Sequence, residues 1–246
     1  MFEIYRELSE LLRQPARKIL EQVRDVHTVY DPLQYAAAPW RSYLTRYLDG
    51  PRRVLFLGMN PGPWGMAQTG IPFGEVQAVR EWMGIDEPVG EPENPHPARP
   101  VTGFACPRSE VSGRRLWELM AARFGTAENF FRNQAVLNFC PLVFMTESGR
   151  NVTPDRIPSR FRASLEEPCD EALRRSIEVL QPSYLVGIGH FARERLARVR
   201  ERLSGRGPGP FPAPPVRILH PSPASPAANR GWAEAVTAQL EETGIW

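Results

Sequence analysis

The sequence predicts an α/β fold, an open parallel sheet of four strands with helices between them, and three observations lead there. Four short apolar runs, rich in β-branched and large side chains, are each followed by a turn signal. None of them alternates cleanly between apolar and polar residues, which is how strands covered on both faces read when helices flank a parallel sheet. Segments with helical spacing separate the runs, so successive strands connect through right-handed crossovers.

Taken in order, two or more helices are expected within Phe2–Leu48, before a first strand at Arg53–Leu57 (RVLFL). The proline-rich stretch Asp86–Pro100 (DEPVGEPENPHPARP) is a loop. A helix over Val111–Phe124 precedes a second strand at Ala135–Phe139, and a helix over Cys169–Leu180 precedes a third at Tyr184–Ile188. A helix over Phe191–Leu203, a second loop at Ser204–Pro215, a strand at Val216–Leu219 and a helix over Ala227–Glu242 complete the series. Both loops are long for connections inside a compact domain, which makes each either mobile or near function. The strand series continues across them, so the whole of 1–246 reads as one domain with N-terminal helices at about 1–50.

Composition narrows the class. No apolar run approaches the roughly 20 residues that span a bilayer. The opening MFEIYRELSELLRQ is charged throughout, unlike a secretory signal. A cytoplasmic chain is therefore expected. The three cysteines, Cys106, Cys140 and Cys169, are scattered and unpaired in spacing, which supports neither a zinc site, nor a disulfide framework, nor an iron–sulfur cluster. The net charge of +2 argues for no partner. Lys18 is the only lysine, so the other cations are arginines. The arginine fork suits phosphate, although a compositional bias explains it as well.

Ligands of open α/β sheets bind beyond the carboxyl ends of the strands. The first strand runs into GMNPGPWGMAQTGIPFG, residues 58–74, a loop whose glycines and prolines fix its shape and expose its backbone. Its polar side chains are Asn60, Gln68 and Thr69, and Met59, Trp64, Met66 and Phe73 supply apolar and stacking surface. That mixture suits a flat, uncharged ligand. The loop matches neither the dinucleotide fingerprint nor a P-loop. The second strand ends at Asn138, whose amide offers an acceptor and a donor together, as the edge of a base requires, or else caps its own turn. The fourth ends in HPSPASPAANRGW, residues 220–232, where Pro221, Pro223 and Pro226 stiffen the segment after His220. His190 reads as a helix cap.

Together the two loops carry a resemblance. GMNPGPWGMAQTGIPFG with HPSPASPAANRGW resembles the single-strand-selective monofunctional uracil-DNA glycosylases of the uracil-DNA glycosylase superfamily, in a bacterial-type member. RPVTGFACPRSEVSG at 99–113, NFCPLVFMTESGRNVTP at 138–154 and VGIGHFARERL at 186–196 look like the same family, so the likeness runs from about Val54 to Trp232. It implies a three-layer α/β/α sandwich around a four-stranded parallel sheet, a base-flipping enzyme without metal or cofactor, and a partner that is single- or double-stranded uracil-containing DNA. A monomer without membrane association, active at the nucleoid, is expected. By the same resemblance Asn60 positions the hydrolytic water and His220 stabilises the departing uracil at O2. Met59, Gly62 and Met66 line the uracil pocket, Phe73 stacks on the base, and Asn138 reads its polar edge. DNA contacts fall to Ser112, Gly113, Pro221, Ser222, Pro223, Ala224, Ser225 and Arg230. Where the family commonly carries a basic residue in the wedge, this chain has Ala224 and Ser225, which predicts weaker flipping from intact duplex.

These residue types fit that chemistry. The base must leave the stack before water reaches C1′. A hydrogen bond aimed at the oxyanion forming on uracil favours the transition state over the ground state. Asn60 can orient water but cannot take a proton as a carboxylate would. A strand-nicking activity would need an amine for a Schiff base, and Lys18 lies outside every motif. Gly62 is small, which predicts room at the pyrimidine 5-position and tolerance of 5-substituted uracils. Three alternatives stay open: a glycosylase acting mainly on oxidised pyrimidines or deaminated purines such as xanthine, a non-catalytic binder of damaged or single-stranded DNA, and a nucleotide-binding enzyme.

Overall fold

The computed structural model describes residues 1–204 and 212–246. The chain begins with α1 (Phe2–Gln22), β1 (Thr28–Tyr30), α2 (Pro32–Tyr35), α3 (Ala37–Tyr47), β2 (Val54–Gly58) and α4 (Met66–Thr69). It continues through α5 (Val111–Phe124), α6 (Ala127–Phe131), β3 (Gln134–Asn138), β4 (Val143–Met145) and β5 (Asn151–Val152). It ends with α7 (Ser159–Leu180), β6 (Tyr184–Ile188), α8 (His190–Ser204), β7 (Val216–Ile218), α9 (Pro226–Asn229) and α10 (Trp232–Glu242).

The main sheet has the order β3-β2-β6-β7 and is parallel throughout. All residues of β2 and β3 are buried, which is why those runs lack alternation. Helix α8 packs on β6, β2 and β7, with α7 beside it and α1 on α7. Helices α5, α6 and α10 form the other group and meet the sheet through β3 and β7. The result is the three-layer α/β/α arrangement. The chain turns from β2 to β3 on one side and from β6 to β7 on the other, which opens a crevice beyond the carboxyl ends of β2 and β6. Register brings Gly58 level with Asn138, and Ile188 level with Ile218, two residues before His220.

Several expectations need correction. A second, antiparallel sheet of order β1-β4-β5 was not foreseen. Helix α7 begins ten residues before Cys169, because Pro168 lies inside the helix and does not end it. The bond that this proline forfeits would have gone to the carbonyl of Ser164, which is exposed to solvent. The expected helix over Ala227–Glu242 is two helices, broken where Gly231 takes φ of 134°, a value open to glycine. Of the loop expected at Ser204–Pro215, residues 205–211 lie outside the described residues. Among the described residues no helix is long and apolar enough to cross a membrane.

Candidate active site at the carboxyl edge of the sheet

A cavity of about 330 Å³ opens at this edge. It is lined by Met59, Asn60, Pro61, Gly62 and Phe73 from the loop after β2, and by Asn138 at the end of β3. His220 and Ser222 follow β7, while Glu110, Ser112, Asn151 and Thr153 close the remaining walls. Of the residues expected in a uracil pocket, Met59, Asn60, Gly62, Phe73, Asn138 and His220 thus meet around one space. Met66 does not line it. That side chain is buried beneath Asn138, whose Nδ2 donates to Met66 Sδ at 3.4 Å. Among the described residues Asn138 Oδ1 is buried without a partner, an acceptor left open for a ligand N–H.

The loop after β2 holds its shape through polar groups that never reach the cavity. Gln68 donates to the Pro63 and Pro100 carbonyls, both at 3.0 Å, and accepts from Thr102 N at 2.9 Å. Thr69 Oγ1 donates to the Gly74 carbonyl at 2.9 Å. Trp64 lies outside the cavity lining, with the guanidinium groups of Arg99 and Arg108 5.1 and 5.4 Å from its ring centre. Phe73 has φ of 54°, a strained value for a bulky side chain. Its carbonyl accepts from Glu75 N at 2.7 Å and from Trp117 Nε1 at 2.8 Å, which holds the ring over the cavity. Gly113 is buried against this same carbonyl, where a Cβ would come within 2.2 Å of the oxygen. That placement gives Gly113 a packing role at Phe73 in place of the surface position expected for a DNA contact.

Asn60 donates Nδ2 to the Pro61 carbonyl at 3.2 Å and to Asn151 Oδ1 at 3.5 Å. Asn151, on β5, in turn donates to the Pro61 carbonyl at 3.3 Å. With its nitrogen so engaged, Asn60 keeps its oxygen as a free acceptor among the described residues. His220 Nδ1 accepts from Ser222 N at 3.1 Å, which puts the proton of a neutral ring on Nε2. Burial lowers the pKa of His220 below its usual value, so the ring is a neutral donor at neutral pH. Phe73 faces it at 6.4 Å between ring centres.

Glu110 was not anticipated. Its carboxyl oxygens occupy the volume that side chains at Gly62 and Gly65 would need, lying 2.1 and 1.7 Å from the places of their Cβ atoms. The room expected beside Gly62 is therefore filled by a carboxyl group. Burial, and then the neighbouring charge of Glu75, push Glu110 up to about 7. Asn151 and Thr153 were also missed. All three lie inside segments already singled out, RPVTGFACPRSEVSG and NFCPLVFMTESGRNVTP, but no local pattern aims them at a pocket.

Pro221 is buried, whereas Pro223 and Ala224 are exposed at the tip of the loop after His220. Ser225 caps α9 by accepting from Ala228 N at 3.4 Å, and Arg230 is exposed at the end of that helix. His190 is exposed as the first residue of α8. Among the described residues no group of three His, Cys, Asp or Glu side chains is placed to hold a metal ion.

Comparison with known proteins identifies a family. The family model of the uracil DNA glycosylase superfamily matches residues 46–240. A single-strand selective monofunctional uracil DNA glycosylase of Bos taurus is 45% identical over 249 residues, covering 98% of this chain and 88% of that protein. The Rattus norvegicus protein of the same name is 48% identical over 223 residues, covering 89% and 77%. In fold, the chain is similar to the crystal structure of wild-type Pedobacter heparinus SMUG2, with TM-score 0.64, 18% identity, and 94% and 99% of the two chains covered.

Proposed function

The chain belongs to the uracil DNA glycosylase superfamily and, within it, to the single-strand-selective monofunctional group; from that premise we propose how it removes uracil from DNA. The enzyme hydrolyses the N-glycosidic bond and leaves an abasic site. One observation carries the residue roles: a single cavity gathers a stacking ring, an open amide edge, a neutral imidazole donor and an amide oxygen free to hold water.

The extruded base lies against Phe73, and Asn138 Oδ1 accepts from its N3–H while Nδ2 turns toward O4. His220 Nε2–H faces O2. As the bond to C1′ lengthens, negative charge spreads onto O2, and a prealigned neutral donor gains strength with that charge. Asn60 Oδ1 accepts from a water aimed at C1′. Uracil leaves with the bonding pair as an anion, the water oxygen bonds to C1′ of the sugar cation, and the water's surplus proton passes to solvent. Among the described residues no carboxylate hydrogen-bonds to Asn60, and Glu110, in the cavity wall, holds its proton up to about pH 7, so departure of the base leads and attack follows. Lys18 is exposed on α1, away from the cavity, which favours hydrolysis without a Schiff base. Trapping a covalent DNA complex with borohydride would contradict that reading.

Substrate range follows from Glu110 and not from an empty space at Gly62. A polar wall there favours uracil and polar 5-substituted uracils over thymine, whose methyl group would displace hydration from a carboxyl without replacing it. Oligonucleotides containing uracil, 5-hydroxymethyluracil, thymine, xanthine or hypoxanthine test this directly, as single strands and opposite adenine or guanine. Release of uracil and 5-hydroxymethyluracil ahead of thymine is the expected order. Faster release of xanthine than of uracil would overturn it.

A further inference from the structure

The segment after His220 is rich in acceptors and poor in donors, because Pro221, Pro223 and Pro226 carry no N–H. Something else must supply the donors that fix it. Among the described residues, every hydrogen bond that reaches residues 220–230 from outside 219–239 comes from one side chain, Arg115 on α5. Its Nη1 donates to the Pro221 carbonyl at 3.1 Å and to the Ser222 carbonyl at 3.4 Å, and its Nη2 donates to Asn229 Oδ1 at 2.8 Å. Asn229 passes the tie onward, donating Nδ2 to the Pro223 carbonyl at 2.9 Å. The peptide held at Pro221–Ser222 is the one whose N–H, on Ser222, sets the tautomer of His220.

We propose that Arg115 is a positioning residue for His220: its guanidinium fixes the peptide that keeps the imidazole proton on Nε2 and aims it at the departing base. The inference rests on the glycosylase reading above. A lysine does not reproduce this arrangement, because the acceptors are met by two separate nitrogens, Nη1 and Nη2, and a lysine has one. No carboxylate pairs with Arg115 among the described residues, and the three hydrogen bonds its guanidinium makes there all go to the loop. Ser112, one turn earlier on α5, lines the cavity, so the helix that shapes one wall also sets the loop forming the opposite one.

The test uses the full chain with Arg115→Ala, Arg115→Lys and Asn229→Ala, the last cutting the outer tie while leaving the guanidinium in place. Single-turnover release of uracil, affinity for DNA carrying a tetrahydrofuran abasic analogue, and the nitrogen-15 spectrum of the histidine rings are measured together. Both arginine variants are expected to slow uracil release by about 10- to 100-fold, the cost of misplacing one group. Affinity for the abasic analogue should hold, the His220 resonances should show mixed tautomers, and millimolar guanidinium should restore part of the Arg115→Ala rate. Asn229→Ala should show a smaller loss of the same kind. Unchanged rates and tautomer in the variants would overturn the proposal. So would a loss confined to affinity with a weaker salt dependence, which marks a phosphate contact. If Arg115→Ala fails to fold, Arg115→Lys and Asn229→Ala decide. An unmodified enzyme that releases no uracil would instead sink the glycosylase reading itself.

Discussion

Among the described residues Glu110 and His220 are the two ionisable groups lining the cavity, and burial acts on them in opposite directions. The ordinary pKa of Glu110 is 4.5, and in the folded chain it is pushed up to about 7, so the folded form holds this proton over a range where the unfolded chain has released it. Its stability contribution is complete below 4.5 and is lost as pH rises toward 7. His220 is held below 6.5, so stability falls as pH drops below that value and the unfolded chain takes up the proton. Above pH 7 an ionised Glu110 also opposes the anion forming on uracil. Release of uracil should therefore decline through pH 7, and Glu110→Gln should remove that limb; an unchanged profile in the variant would assign the limb elsewhere. His220→Asn should slow release by about 100- to 1,000-fold, the usual loss for one oxyanion donor, with little change in affinity for abasic DNA. Asn60, Asn138 and His220 were legible in the sequence because strand ends announce themselves. Glu110 was not, since a glutamate just before a helix reads as an ordinary acidic helix start. Only packing against two distant glycines buries it.

At the scale of elements, the buried strands and helix α8 could be read to within a few residues, because burial on both faces and 3.6-residue spacing are local properties, whereas the start of α7 and the break at Gly231 could not. The small sheet could not, since its strands have three, three and two residues, below the roughly four over which alternation shows. Its contribution is nonetheless direct, since β5 delivers Asn151 to Asn60. Helix α5 and the loop after β2 meet at Gly113. Gly113→Ala would drive a methyl group into the Phe73 carbonyl, which is backbone and cannot swing aside. Loss of uracil stacking, read as a raised KM and slower release, is expected even if the chain stays folded by circular dichroism. The loop after His220 carries an exposed Ala224 at its tip. An arginine there could fill the gap left by the flipped base, so Ala224→Arg should raise the rate on duplex substrates relative to single strands. Equal gains on both would show that Ala224 does not limit flipping.

Across the whole molecule, a buried ionic cluster joins two helices of one outer layer. Asp170 on α7 meets Arg195 on α8 at 2.5 Å, and Arg195 also meets Glu166 at 2.8 Å. Arg198 and Arg202 approach Asp170 at 3.3 and 3.4 Å. Burial still pushes Asp170 up, against the pull of these arginines. Removing the inner cation leaves the buried carboxylate to the half-exposed Arg198 and Arg202, so Arg195→Met should cost no more than about 3–5 kcal/mol, seen as a lower urea midpoint without a change in pocket chemistry. The small sheet has a consequence of another kind. Its edge strand, Thr28–Tyr30, falls before residue 46, where the family match begins. Tyr30 takes the His96 N–H at 2.6 Å and donates to the Arg99 carbonyl at 2.9 Å, pinning the proline-rich stretch that leads toward Gln68 and the uracil loop. A shortened enzyme cut to the boundaries of the family match would keep every residue that lines the cavity and lose the clasp that holds two of its approaches together.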